Sequence, residues 1–64
     1  MPIVQINMLK GRTLEQKRAL VKRVTEVLGE TINAPAHKVR IILNDMEYDM
    51  YSVGGKLVAD EDNT

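Results

Sequence analysis

Thr13–Asn33 reads TLEQKRALVKRVTEVLGETIN, and its pattern decides the fold. Leu20, Val21, Val24, Val27, Leu28 and Ile32 recur at helical spacing and form one apolar stripe, while Lys17, Arg18, Lys22, Arg23 and Glu26 lie mostly off it. Thr13 and Gln16 fit a capping box, in which the hydroxyl serves the third amide of the helix and the amide side chain reaches back. At the far end Asn33 suits a left-handed cap and Pro35 forbids continuation; Gly29 weakens the last turns.

On either side of this helix the spacing changes from 3.6 to 2. Ile3–Leu9 (IVQINML) predicts a strand with Val4, Ile6 and Met8 on one face and Ile3, Gln5, Asn7 and Leu9 on the other. Apolar residues on both faces suit a strand covered on both sides. Lys10-Gly11-Arg12 breaks the pattern. Val39–Asn44 (VRIILN) predicts a second strand, with Val39, Ile41 and Leu43 opposite Arg40, Ile42 and Asn44. Strand, helix and strand of these lengths make a β-α-β unit with parallel strands. Its helix covers only one sheet face, so the face carrying Arg40 and Ile42 stays open in a single chain. Tyr51–Val58 then reads as a C-terminal β-hairpin around Gly54-Gly55, and the acidic tail Asp60–Thr64 as a frayed end. The class is α+β, a single domain over residues 1–64.

A chain of 64 residues buries only about 60% of the surface its unfolded form exposes. Disulfides, metals or oligomerisation normally compensate. The sequence has no cysteine and a single histidine, His37, which leaves oligomerisation. Nine basic and nine acidic residues cancel, and only Tyr48 and Tyr51 are aromatic, so no nucleic-acid footprint is present. No apolar run approaches the ~20 residues of a membrane span, and no secretory signal opens the chain. A cytoplasmic protein follows as the expectation.

Chemistry could sit at four places. Pro2 can simply start a strand, since it lacks an N–H. If Met1 is removed, however, its ring nitrogen becomes a secondary amine. An α-amino group titrates near about 7.7–8.0, and burial or a nearby cation lowers that value. Such a base can accept a proton and return it. Arg40 interrupts an aliphatic strand and Arg12 follows Gly11; each offers a planar fork of donors for a carboxylate. For Arg40 the alternative is an inter-subunit salt bridge, for Arg12 a solvated charge. Tyr51 can wall an apolar site or anchor an interface. Gly54-Gly55-Lys56 lacks the earlier glycine and the following Ser or Thr of a phosphate loop. His37 reads as a surface residue, and Asp45, Glu47 and Asp49 as a solvated acidic edge, not a metal set.

Pro at position 2, KGR after the first strand, EQK opening the helix, AP and VR leading into the second strand and GG in a terminal hairpin together resemble the 4-oxalocrotonate tautomerase family. The resemblance runs from Pro2 to about Leu57. It implies a tautomerase-like β-α-β subunit whose sheets are completed by assembly as a homohexamer, a trimer of dimers. It also implies a cofactor-independent tautomerase (isomerase) acting on small enol or dienol 2-oxo acids such as 2-hydroxymuconate, with no metal. By position, Pro2 would shuttle the proton, and Arg40 would bind the carboxylate and neighbouring oxygen of a substrate held by another subunit. Arg12 would bind the distal carboxylate and draw electrons toward it. Leu9 and Tyr51 would contact substrate, Tyr51 standing where phenylalanine is usual. Two other readings keep the scaffold: a haloacrylate-type dehalogenase, which wants a carboxylate to activate water, and a non-catalytic assembly or binding module, which needs no free Pro2 amine.

Overall fold

The first strand of the computed structural model, which describes residues 1–61, has the bounds its alternation predicts. Strand β1 (Ile3–Leu9) leads to helix α1 (Leu14–Ile32), and the chain returns through a 3₁₀ turn (Ala36–Lys38) to strand β2 (Arg40–Met46). The two strands pair in parallel from Ile3 opposite Arg40 to Leu9 opposite Met46. Both caps of α1 form as the sequence requires. Gln16 N–H donates to the Thr13 hydroxyl at 3.1 Å, and the Thr13 N–H donates to Gln16 Oε1 at 2.9 Å. Asn33 adopts φ 58°, and its N–H closes on the Leu28 carbonyl.

Two boundaries differ from the sequence expectation. β2 begins at Arg40, not Val39, because Val39 closes the preceding 3₁₀ turn with its N–H on the Ala36 carbonyl. It also runs on past Asn44 to Met46, since Met8 and Leu9 continue the ladder and supply partners for Asp45 and Met46. At the other end of the chain, Val58–Asp60 form a 3₁₀ turn, so Asp60 is not part of a frayed tail. The remainder of that expected tail, residues 62–64, lies outside the described residues.

Helix α1 covers the face of the sheet carrying Val4, Ile6, Met8, Ile41 and Leu43, all of them half-buried together with Leu20, Val21, Val24 and Leu28 of the helix. Val27 and Ile32, from the same apolar stripe, stay 44% and 58% exposed because the stripe is wider than a two-stranded sheet. The opposite face is bare. Ile3 and Ile42 are 61% and 49% exposed there, and Asn44 donates to Asn7 Oδ1 at 2.9 Å across the strands.

After Met46 the chain leaves the sheet as an arm. A 3₁₀ turn (Tyr48–Met50) precedes the hairpin of β3 (Ser52–Val53) and β4 (Lys56–Leu57), whose connecting Gly54 and Gly55 both take positive φ, 62° and 86°. Val58 N–H closes the hairpin base on the Tyr51 carbonyl at 2.9 Å. Every residue from Glu47 to Leu57 is exposed. The radius of gyration is therefore 14.9 Å, against about 11 Å for a globular chain of this length. The accessible surface is 5112 Å², where about 4,100 Å² is usual for the mass. Ala34 is the one apolar residue that is buried among those described. Much of the apolar surface therefore stays exposed in the single chain. No helix among the described residues is long and apolar enough to cross a membrane.

Candidate active site

The parallel pairing sends the residues singled out in the sequence to two ends of the sheet. Pro2 and Arg40 share one end. Pro2 is half-buried just ahead of β1, and its carbonyl accepts the Arg40 N–H at 3.0 Å. The Arg40 side chain lies on the open face with Ile42, exposed, with Nη1 donating to the His37 carbonyl at 3.1 Å. That bond uses one of five guanidinium N–H donors and leaves a fork for a planar anion. His37 is exposed, as expected, and it contributes its backbone.

Met1 is 75% exposed ahead of Pro2. While Met1 is attached the Pro2 nitrogen is an amide without basicity. Its removal would place a secondary amine at the mouth of the sheet, at the same end as the Arg40 guanidinium.

Leu9 and Arg12 are not at that end. Leu9 closes β1, half-buried opposite Met46. Arg12 is exposed in the loop that follows, beyond Gly11, whose φ of 128° excludes a side chain there without strain. Seven strand residues separate Pro2 from this loop, which is roughly 20 Å at the rise of a β-strand. Tyr51, 43% exposed, stands on the arm. Pro2 and Arg40 of one chain thus lie at one end of the sheet, and Leu9 and Arg12 at the other.

The Arg12 end carries ion pairs that sequence reading overlooked. Lys10 Nζ meets Glu47 Oε2 at 2.6 Å, and Lys17 Nζ meets Asp45 Oδ2 at 2.5 Å. Asp45 and Glu47 are exposed, as expected of an acidic edge, and each is paired with a lysine. The first pair follows from the strand register, which the sequence alone does not give. The strands pair at a constant offset of 37 residues, as the Asn7–Asn44 bond does, and the same offset leads from Lys10 to Glu47. Lys10 also lies 5.7 Å from the centre of the Tyr48 ring. Its hydrogen bond to Glu47, and next the charge of that carboxylate, hold the ammonium above the ordinary lysine value. Among the described residues no cluster of three or more His, Cys, Asp or Glu is placed to hold a metal ion.

Comparison with known proteins agrees with this architecture. The family model described as "Tautomerase enzyme" matches residues 2–61. A probable tautomerase of Halalkalibacterium halodurans is 51% identical over 61 residues, covering 95% of this chain and 100% of the relative. The 2-hydroxymuconate tautomerase of Bacillus subtilis is 47% identical over 60 residues, 94% of this chain and 97% of that one. Among solved structures, a heterohexamer 4-oxalocrotonate tautomerase from Chloroflexus aurantiacus superimposes with a TM-score of 0.87 at 30% identity, covering 94% of this chain and 97% of its own.

Proposed function

The chain belongs to the tautomerase family of isomerases, and on that footing we propose that it is a cofactor-independent tautomerase of small enol and dienol 2-oxo acids such as 2-hydroxymuconate, with the Pro2 amine as proton carrier. The observation that supports the reading is the placement of Pro2 at the head of β1, half-buried, at the same open sheet end as an exposed Arg40 guanidinium, which can there reach a substrate held at the Pro2 of a neighbouring subunit.

In this mechanism Met1 is first removed. The substrate carboxylate and its neighbouring oxygen sit on the Arg40 fork of a neighbouring subunit through charge-assisted bonds. The neutral Pro2 amine takes the acidic proton of the dienol. Electrons move along the conjugated chain, and the resulting ammonium returns that proton to a carbon, so that enol becomes ketone with no net gain of protons. Negative charge on the oxygens of the intermediate meets fixed cations that need no reorganisation. Arg12 holds the distal carboxylate and draws charge toward it, while Leu9 and Tyr51 give the site an apolar wall. Keeping the amine near apolar groups and cations lowers its proton affinity toward neutral pH.

Because Arg12 lies about 20 Å along the sheet from Pro2 of its own chain, the complete site joins subunits. The bare face with Ile3 and Ile42, and the exposed arm, support a homo-oligomer. The heterohexamer relative makes a hexamer, built as a trimer of dimers, the assembly proposed here. Residues 1–64 act as a single tautomerase domain, and the protein works in the cytoplasm.

The test is intact-mass measurement followed by an ultraviolet assay of 2-hydroxymuconate ketonisation. The chain without Met1 turns substrate over, and chain retaining Met1 does not. Pro2→Ala keeps a primary amine, so its kcat falls by about 10- to 100-fold, short of the full value of acid–base catalysis. Equal activity with and without Met1 would remove Pro2 as the base. Inactivity of the processed chain on every enolised 2-oxo acid would favour a binding module.

A further inference from the structure

Arg12 lies between two lysines in sequence, and each of those lysines holds an acid at the C-terminal end of β2, Asp45 within the strand or Glu47 just past it. Lys10 takes Glu47 at 2.6 Å and Lys17 takes Asp45 at 2.5 Å. The two acids flank Met46, whose carbonyl accepts the Lys10 N–H at 2.9 Å. Among the described residues Arg12 itself pairs with no acid, although two carboxylates stand at its own end of the sheet.

We propose that Lys10 and Lys17 are positioning residues that sequester Glu47 and Asp45 and so keep the Arg12 guanidinium open for a substrate carboxylate. The inference rests on the reading of Arg12 as the holder of the distal carboxylate. Its physics is competition. A guanidinium binds a carboxylate through two parallel bonds and prefers it to water or a carbonyl. A carboxylate tethered on the neighbouring strand end would act at an effective concentration in the millimolar range or above, enough to rival substrate. Each lysine removes that rival by giving it a closer cation. Lys10 is set for this by the parallel register, which places it opposite Glu47. Lys17 is set by the Thr13–Gln16 capping box, which fixes the first helical turn above Asp45.

The experiment measures KM and kcat for 2-hydroxymuconate in the processed wild type, Arg12→Ala, Lys10→Met and the double variant Lys10→Met/Glu47→Gln. Arg12→Ala raises KM. Lys10→Met raises KM by about five-fold, the effect of one surface-level charge contact, with kcat changed by less than about two-fold. Adding Glu47→Gln returns KM to the wild-type value, since the neutral amide no longer competes. A double variant that stays impaired overturns the inference, because Lys10 would then act on substrate or on folding directly. An unchanged KM in Lys10→Met overturns it as well. Should Lys10→Met fail to assemble, Lys17→Met with and without Asp45→Asn makes the same comparison on the second pair. If Arg12→Ala leaves KM unaltered, the underlying assignment of Arg12 has failed; if it raises KM and Lys10→Met does not, only the sequestration has.

Discussion

The Arg40 N–H donates to the Pro2 carbonyl at 3.0 Å, so the residue bearing the proposed base and a residue bearing the proposed anion fork belong to one rung at the edge of a parallel sheet. Backbone pairing of this kind holds both Cα positions without using either side chain. The proline ring takes no part in the pairing, and the guanidinium, bonded through Nη1 to the His37 carbonyl, keeps its other donors.

Arg40→Ala should therefore leave the fold intact while weakening substrate. Loss of charge-assisted bonds to a carboxylate raises KM for 2-hydroxymuconate by about 10- to 100-fold. Steady-state kinetics on the processed chain, with circular dichroism as the control for folding, decides it. A KM within two-fold of wild type would leave Arg40 to its alternative as an interface salt bridge.

The open sheet face makes a prediction about assembly. Ile42 is 49% exposed in the single chain, beside Ile3 at 61%. Ile42→Asp places a charge where a neighbouring subunit would bury it, at a cost of several kcal/mol. Sedimentation velocity should show smaller species than wild type. The melting temperature of wild type should also rise with protein concentration, as mass action requires. Unchanged sedimentation for Ile42→Asp would mean that this face is not an interface.

The N-terminus of α1 rests on two reciprocal bonds, at 3.1 Å and 2.9 Å. Thr13→Ala removes one and leaves an amide without its partner, which costs about 1 kcal/mol. Thermal unfolding should shift down by about 4–8 °C for a domain of this size. No shift would show that water replaces the cap at no cost.

Lys10 has a pH signature of known sign. Its bond to Glu47 raises the folded value above the ordinary 10.5, so the folded chain binds this proton more tightly than the unfolded one. The contribution is complete below the ordinary lysine value and is lost as pH rises through the higher folded value. A nitrogen-15 titration of Lys10 Nζ should find its midpoint above 10.5, moving back down in Glu47→Gln. A midpoint unaffected by that substitution would deny the pairing.

By itself the sequence determined the elements and their order. The 3.6-residue stripe from Leu20 to Leu28, the Thr13–Gln16 box and Asn33 before Pro35 are local signals, and local backbone preferences suffice to act on them. Ile3–Leu9 formed a strand with the bounds its alternation gave. Pro2 and Arg40 were legible as candidates because a proline at that position and an arginine among isoleucines stand out without a structure. Tertiary structure alone decided the rest. Register is a sum over many cross-strand contacts, so the pairing that unites Pro2 with Arg40, and Lys10 with Glu47, cannot be read from either strand separately. The same pairing carried Arg12 and Leu9 to the far end of the sheet. Parallel strands run in one direction, and residues at the start of one cannot meet residues at its end within a single chain.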